Sequence, residues 1–185
     1  MFDVEPKLNL IEQHIAKLLI ASSDSEKISL IKNMPIQLSD VIGYRYFDEK
    51  SYTRNLVFSC ADFEVILMCW GSGQHSVVHD HNGSLCVMKC LLGTLDEQRF
   101  EKRLNRQSGI VAIEPTGSYS LIAGSTTSIL DEEGLHSIAN SRQEDACSLH
   151  FYFPPIKNAY VYGLDNVAKK AVSSVFTSEF GIKRD

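Results

Sequence analysis

Three of the six histidines lie within the seven residues from His75 to His81. If this stretch is a β-strand, successive side chains project to opposite faces, so His79 and His81 share one face while Asp80 points away. Two imidazoles on the same face of a strand can chelate a transition metal ion. Ordinary surface or core histidines also produce an isolated His-x-His pair, so its surroundings must decide between these interpretations.

The dipeptide Asn82-Gly83 follows directly and favours a tight hairpin turn, because both residues tolerate positive φ. A two-residue hairpin would place His79 opposite Cys86. Directly opposed residues share a face, with Cβ atoms about 4.5–5.5 Å apart. The hairpin hypothesis therefore predicts the Cys86 thiol beside the two imidazoles, whereas a longer loop would shift the pairing.

A second polar cluster lies between Ala146 and Phe153. Ser148, His150 and Tyr152 alternate with apolar residues, so a strand projects all three to one face. A hydroxyl, an imidazole and a phenol in this order can form one hydrogen-bond chain. The alternative is a polar sheet face with satisfied hydrogen bonds and no chemical role.

Short β-type segments, separated by Gly, Pro, Asn and Asp, must position these side chains. Many strands at short, regular spacing are typical of a sandwich or barrel. The predicted strands are Thr53–Ser59, Phe63–Cys69, His75–His81, Leu85–Leu92, Gly93–Glu101, Gly109–Ile113, Tyr119–Ala123, Gly134–Ala139 and Ala146–Phe153.

Two helices are predicted before the strands. Apolar residues recur at helical spacing from Leu8 to Leu19, which leaves His14 on the polar side of the first helix. Ser23 is an N-cap candidate for a second, short helix that stops near Pro35. We interpret both helices as packing elements.

The chain length of 185 residues suits one domain. The sequence contains no internal repeat, low-complexity linker or charge block. We therefore predict a single domain over residues 1–185, in which N-terminal helices (1–43) pack on a barrel with C-terminal strands (44–185).

Composition argues against several classes of protein. A net charge of −5 and a pI near 5.7 disfavour nucleic-acid binding. The longest apolar run, Val65–Trp70, is far shorter than a membrane span. The five cysteines lack CxxC spacing and the first residues do not resemble an export signal, so we expect reduced thiols in the cytoplasm.

Two stretches resemble the two cupin motifs. The first is Gly73-x5-His79-x-His81-x4-Cys86-x6-Gly93, and the second runs from Gly134 to Asn140 and contains His136. Cysteine stands where most cupins carry a glutamate, an exchange typical of the animal-type cysteine dioxygenases. Further stretches similar to that family are Tyr52–Val57, Cys69–Gly73 and Ser148–Pro155. The resemblance runs from about Tyr52 to Pro155 and implies a mostly β, jelly-roll-like cupin barrel or sandwich with a short N-terminal helical segment.

The resemblance implies that His79, His81 and His136 bind one Fe(2+) per chain. Three neutral ligands differ from the commoner facial set of two histidines and one carboxylate. They leave the charge of the metal to be balanced by an anionic thiolate. The implied reaction is the oxidation of L-cysteine by O2 to cysteine sulfinic acid, a step of cysteine catabolism and taurine biosynthesis.

The resemblance makes Arg54 the substrate selector, because a guanidinium can hold the carboxylate of cysteine through charge-assisted hydrogen bonds. On its own, an arginine in a strand is commonly a solvated residue or half of a structural ion pair. Tyr52 and Tyr152 complete the implied substrate site.

The implied catalytic residues are Tyr152, His150 and Cys86. His150 would orient the Tyr152 hydroxyl towards substrate and O2, with Ser148 and Trp70 supporting it. The resemblance also implies a thioether crosslink between Cys86 and Tyr152. The Phe153–Pro154 bond, at the end of this strand, is a candidate for the cis isomer.

The chain departs from the animal-type family after this strand, where those members carry another cysteine and Ile156–Tyr160 contains none. His75 and His14 match no family role. The alternatives are a dioxygenase for 3-mercaptopropionate or cysteamine and a metal-binding cupin without turnover. Arg54 counts against cysteamine, which has no carboxylate. We expect a monomer that binds neither nucleic acid nor a membrane.

Overall fold

The computed structural model describes residues 10–104, 111–163 and 170–184. The helical elements are α1 (Leu10–Ile20), α2 (Asp24–Lys32) and two 3-10 segments, Leu38–Tyr44 and Asp131–Glu133. Ser23 caps α2 as predicted, because its hydroxyl accepts a hydrogen bond from the Glu26 backbone N–H at 3.2 Å. Among the described residues, no helix combines the length and the hydrophobicity needed to cross a bilayer.

The buried stripe of α1 differs from the prediction. His14, expected on the polar side, is buried, as is Leu18, whereas Leu19 is exposed. Ile11 and Ile15 are partly buried and pack against the core. The helix therefore presents the 11, 14, 15 and 18 positions to the core, a stripe rotated towards His14 from the one that its apolar residues alone suggested.

Thirteen strands occur in the described ranges. They are β1 (Thr53–Ser59), β2 (Glu64–Trp70), β3 (Val78–His79), β4 (Leu85–Leu92), β5 (Thr94–Leu104), β6 (Val111–Ile122), β7 (Thr126–Ile129), β8 (Leu135–Ala139), β9 (Ala146–Phe153), β10 (Asn158–Tyr162), β11 (Lys170–Ser173), β12 (Ser178–Glu179) and β13 (Ile182–Lys183).

The strands form two sheets, as expected for the jelly-roll-like cupin fold. One has the order β13-β12-β1-β2-β9-β4-β7, and the other β11-β10-β3-β8-β5-β6. A core cluster joins inward residues of both sheets, among them Met68, Met88, Leu95 and Ile138. The mostly β fold with a helical N-terminal segment is therefore confirmed, with the space between the sheets as its interior.

The predicted strand His75–His81 is mostly wrong, because only Val78 and His79 form β3 and His75 makes an isolated bridge to Ala139. The turn at Asn82 and Gly83 does form, with positive φ at both residues. Its flanks do not pair as a hairpin, and the predicted position of His79 opposite Cys86 is also wrong. Strand β4 is already hydrogen-bonded to β9 on one side and β7 on the other, so no edge is free for β3.

The predictions Gly109–Ile113 and Tyr119–Ala123 fall on one strand, β6; residues 109–110 lie outside the described residues. Pro115 did not end this strand because β6 is at the edge of its sheet, where a missing backbone N–H is tolerated. A register shift at Arg99 and Phe100 of β5 accommodates it.

The helices are attached to the barrel by apolar packing and by one buried lysine. Residues of α2 pack against β2, β4 and β9 in a second core cluster that includes Ile31, Val65, Val87 and Phe151. The Lys89 ammonium donates to the carbonyls of Ile31 at 3.3 Å and Lys32 at 2.9 Å. These are C-terminal carbonyls of α2, which lack helical partners. Lys89 therefore stabilises the end of the helix on β4.

Candidate active site

Three imidazoles converge between the two sheets. His79 of β3 is the direct cross-strand partner of His136 of β8, and His81 follows in the turn after β3. Their ring centroids lie 4.8–5.1 Å apart, and one nitrogen from each ring lies within 4.8 Å of the others. The prediction that His79 and His81 share one strand face is wrong, because β3 ends at His79. The two rings meet because the chain turns after β3.

The turn that carries His81 is held by a carboxylate from the 3-10 segment Asp131–Glu133. Asp131 accepts hydrogen bonds from the backbone N–H groups of His81 at 2.8 Å and Gly83 at 2.5 Å. Asp131 was not singled out in the sequence, because it lies 50 residues away and in no recognisable motif. It fixes the direction in which the His81 ring leaves the backbone.

The three rings are neutral. Burial lowers the pKa of His79. Burial, with further contributions from neighbouring imidazoles, lowers the pKa values of His81 and His136 well below 6.5. Nδ1 of His79 faces the Val77 carbonyl at 2.8 Å, and Nδ1 of His136 faces the Glu97 carboxylate at 2.9 Å. Because these acceptors require Nδ1–H, Nε2 of both rings carries a free lone pair.

This arrangement fits a divalent transition metal ion. Nε2 of His81 and Nε2 of His136 are 3.2 Å apart. Two nitrogens bound to one ion at about 2.1 Å lie about 3 Å apart when they occupy adjacent coordination positions. Neutral imidazoles with Nδ1 already hydrogen-bonded are the usual metal-binding form of histidine. The three histidines therefore form a candidate metal site.

The imidazoles line one cavity together with Arg54, Tyr52 and Tyr152. Arg54 Nη2 donates to the Ser174 hydroxyl at 2.9 Å, whereas its Nε is buried with no hydrogen-bond partner in the described part of the chain. A buried guanidinium N–H without an acceptor is costly. Arg54 therefore offers a donor to an anionic group that enters the cavity.

A hydrogen-bond chain runs from Trp70 to Tyr152 along one side of the site. The Trp70 indole N–H donates to Ser148 Oγ at 2.9 Å, and Ser148 Oγ lies 2.8 Å from Nε2 of His150. An indole N–H can only donate, so Ser148 Oγ accepts from Trp70, and its own proton is available to Nε2 of His150. In that arrangement Nδ1 of His150 carries the single N–H of the neutral ring and faces the Tyr152 oxygen at 3.3 Å. The Tyr152 proton is left free to point into the cavity.

Cys86 lies beside Tyr152 on the neighbouring strand and not opposite His79. The two residues are direct partners in the β4–β9 pairing, and Cys86 Sγ is 4.0 Å from Nδ1 of His150. Burial raises the pKa of the Cys86 thiol to about 12, and it raises the pKa of the Tyr152 phenol well above 10. Both groups are therefore protonated at neutral pH.

A family model described as "Cysteine dioxygenase type I" matches residues 9–164. The chain belongs to the cysteine dioxygenase type I family. The match covers the helices, both histidine-bearing motifs and the Ser148–Tyr152 face. The family resemblance noted in the sequence is thereby confirmed.

Curated members of the cysteine dioxygenase family support this assignment. Cysteine dioxygenase type 1 of Homo sapiens is 36% identical over 148 residues, 76% of this chain and 70% of that protein. The protein of the same name from Danio rerio is 33% identical over 171 residues, 88% of this chain and 83% of that protein. Among solved structures, a Klebsiella pneumoniae protein with a double-stranded β-helix domain has a TM-score of 0.49 at 19% identity, covering 62% of this chain and 86% of that chain.

The structure brings together nearly all the residues that the sequence singled out. Those that line the cavity are Tyr52, Arg54, Trp70, His79, His81, His136, His150 and Tyr152. Ser148 and Cys86 adjoin it through His150. The region without the expected cysteine contributes Asn158 and Ala159 to the lining. The Phe153–Pro154 bond is cis, as predicted.

Besides Asp131, sequence reasoning missed two polar residues that contact the site residues, Ser174 and Glu97. Ser174, the Arg54 partner, follows the last predicted strand by 21 residues and had no recognisable signal. Glu97 could have been found, because it lies two residues from Leu95 and from Arg99 on a predicted strand and therefore shares the inward face of Leu95.

Proposed function

We propose that this chain converts L-cysteine and O2 to cysteine sulfinic acid, using one Fe(2+) held by His79, His81 and His136. The observation that carries the proposal is one cavity lined by three neutral imidazoles and a guanidinium with an unpaired, buried donor. A metal ion held by the three histidines would bind the thiolate of cysteine, and Arg54 would bind the carboxylate of the same molecule. The family assignment and the names of the curated relatives point to the same substrate.

In this proposal Arg54 fixes the carboxylate and thereby orients the thiol towards the metal and O2. Bound iron supplies the exchange of electrons between the thiolate sulfur and O2. Both oxygen atoms are added to sulfur, so that one thiol and one O2 give one sulfinic acid. Apolar side chains of Met68, Ile138 and Ile156 also line the cavity and limit the access of water.

Tyr152 holds a proton towards the substrate through its free hydroxyl. His150 cannot take up a second proton easily, because burial and the charge of Arg54 lower its pKa well below 6.5. It therefore acts as a neutral donor that orients Tyr152, with Ser148 and Trp70 fixing its ring.

The thioether between Cys86 and Tyr152 is also part of the proposal. Bond formation between the sulfur and the phenol ring removes the thiol hydrogen and one ring hydrogen, with O2 as the acceptor of two electrons and two protons. The direct cross-strand pairing of the two residues supports this reaction. The bond would restrict Tyr152 to one orientation at the cavity wall.

The test is aerobic incubation of the protein with Fe(2+) and L-cysteine, measuring O2 uptake and sulfinic acid together. One O2 consumed for each sulfinic acid is the expected result. Bound iron without cysteine-dependent O2 uptake would instead identify a metal-binding cupin that lacks turnover. Parallel assays with 3-mercaptopropionate and cysteamine should give lower kcat/KM, because each lacks one group that cysteine offers to the site.

Arg54→Ala tests the substrate-binding half of the proposal. Loss of charge-assisted hydrogen bonds worth about 1.5–3 kcal/mol should lower kcat/KM for cysteine about 10- to 100-fold. Iron content should not change. Arg142→Ala is the matched control, since Arg142 pairs with Asp96 outside the cavity. Equal kcat/KM for the two variants would remove Arg54 from the proposal.

The remaining parts of the proposal concern the whole chain. Residues 1–185 form a single domain and act as a monomer in the cytoplasm, where the product is a precursor for taurine biosynthesis. All five cysteines, which lie in the described ranges, are unpaired, as a reducing compartment maintains them. Size-exclusion chromatography and cell fractionation test these statements.

A further inference from the structure

Glu97 is a buried carboxylate next to the candidate metal site. It lies on β5 and is fully buried, with 0% of its side chain exposed. Strand β5 pairs with β8, the strand of His136, and Arg99 is the direct partner of His136. A buried carboxylate requires strong hydrogen bonds to remain ionised. The hydrogen-bond donors around Glu97 therefore indicate the role of its carboxylate.

Three side chains donate to this carboxylate. Nδ1 of His136 is 2.9 Å from Oε1, and Arg99 Nε is 3.2 Å from the same oxygen. The Thr127 hydroxyl donates to Oε2 at 2.8 Å. Arg99 is in turn fixed by hydrogen bonds from Nη2 to the Thr127 hydroxyl at 2.9 Å and the Ser128 carbonyl at 2.5 Å. Glu97 is thus held by two strands while it contacts His136.

The three imidazoles differ in what faces their outer nitrogen. His79 faces a neutral carbonyl at Val77, and Nδ1 of His81 is buried with no partner among the described residues. Only His136 of the three faces a carboxylate within the described ranges. An imidazole that donates to a carboxylate is a stronger electron donor at its other nitrogen than one that donates to a carbonyl. His136 is therefore distinct from the other two.

We propose that Glu97 is a positioning residue that fixes the Nδ1–H form of His136 and increases its electron donation to the metal, with Arg99 moderating that effect. This inference rests on the proposed metal-binding role of the three histidines. The Glu97 carboxylate supplies a negative charge that does not contact the ion directly and acts on it through His136. Arg99 reduces the effect because it shares Oε1 of Glu97 with His136.

The first test is Glu97→Gln in the full chain, with Co(2+) as the probe metal. Glutamine keeps the shape of the side chain and a carbonyl acceptor for Nδ1, but removes the charge. The Co(2+) dissociation constant, measured by competition with a chelator, should rise about 10- to 100-fold. Asp96→Asn is the matched control, because this neighbouring carboxylate pairs with Ser120 and Arg142 instead of a histidine.

A second readout separates electronic from purely structural effects. In the iron-loaded protein, the Fe(3+)/Fe(2+) midpoint potential of Glu97→Gln should be more positive than that of wild type, since a weaker donor stabilises the oxidised ion less. A structural role alone would lower the melting temperature of the metal-free variant and leave both the Co(2+) affinity and the potential of the folded protein unchanged. That result would overturn the inference.

Arg99→Met keeps the test decisive if Glu97→Gln does not fold. Removal of the guanidinium leaves Glu97 with two donors and more charge directed at His136, so Co(2+) should bind as tightly as in wild type or more tightly. A tenfold loss of affinity would contradict the inference. If the wild-type protein binds no Co(2+) or iron, the proposed function itself fails; if wild type and Glu97→Gln bind equally, only the role of Glu97 fails.

Discussion

The two faces of strands β2, β9 and β4 differ in chemistry although both are buried. The outer face packs against the helices with apolar side chains such as Leu67, Leu149 and Phe151. The inner face of the same strands carries Ser148, His150 and Tyr152, linked by hydrogen bonds. Every residue of β2 and of β9 is buried. Alternation along a strand therefore places residues for stability and residues for chemistry next to each other in sequence.

The comparison predicts that substitutions on the two sides have separable effects. A change in the interior, at the site, should alter metal binding or turnover and leave the fold intact. A change on the outer face should lower the free energy of unfolding and leave the site of the folded molecules unchanged. Four measurements test this separation.

The largest effect is expected for His136→Ala. Loss of one of three ligands should weaken iron binding by more than the roughly 100-fold attributed to ligand-supporting residues, and turnover should disappear with the metal. Metal analysis after gel filtration and an O2-uptake assay check both. The far-UV circular dichroism spectrum should match wild type. A variant that keeps iron and activity would exclude His136 from the ligand set.

Phe151→Ala tests the outer face. Truncation of this buried ring should lower the free energy of unfolding by about 3–5 kcal/mol, because it creates a cavity under the helices. Urea denaturation gives the value, and Phe151→Leu should lose much less. At low temperature the folded variant should keep its iron content and kcat. Loss of iron in folded protein would show that the faces are coupled.

Cys86→Ser addresses the inner face without removing a ligand. The variant should lack the proposed thioether and retain turnover, reduced roughly tenfold at most, because only the orientation of Tyr152 is loosened. Mass spectrometry of a tryptic digest detects the crosslinked peptides in wild type. Finding the same joined peptides in the variant would rule out Cys86 as the partner of Tyr152.

The smallest effect concerns the pH dependence of stability. Burial lowers the pKa of His150 well below 6.5, so the unfolded chain takes up a proton there that the folded protein does not. The free energy of unfolding should therefore decrease as pH falls below about 6.5, by up to about 1.4 kcal/mol per pH unit for this group.

His150→Gln should make that dependence less steep in the metal-free protein, where His79, His81 and His136 still contribute to it, while Phe151→Ala should lower stability equally at each pH. Urea titrations between pH 5 and pH 7.5 measure both slopes. Parallel curves for wild type and His150→Gln would mean that His150 is not kept neutral by the fold.

Much of the fold could be predicted because local patterns encode it. The bounds of β1, β4 and β9 are as predicted, and so is the cap of α2 at Ser23. Errors occurred where the partner of a segment decides its form. The stretch around His79 is a strand for only two residues, since it pairs with β8 and β10 instead of continuing into β4.

At the candidate site, too, the contacts between distant segments could not be predicted from the sequence. The residue types of the metal site and of the Ser148–Tyr152 face were evident from spacing and family resemblance. Cys86 was expected opposite His79 through a hairpin, but its cross-strand partner is Tyr152 because β4 pairs with β9. Ser174 and Asp131 reach the site from distant segments, and no local signal connects them with it.

By itself, the sequence indicated which residue types meet at the candidate site, the shared strand face of Ser148, His150 and Tyr152, and the family to which the chain belongs. Only the tertiary structure decided that His136 is held by Glu97, that Arg54 keeps a buried donor unpaired and that Cys86 lies against Tyr152. The physical reason is that periodicity specifies the direction of a side chain from its own backbone. Strand pairing between segments far apart in the chain specifies what that side chain meets.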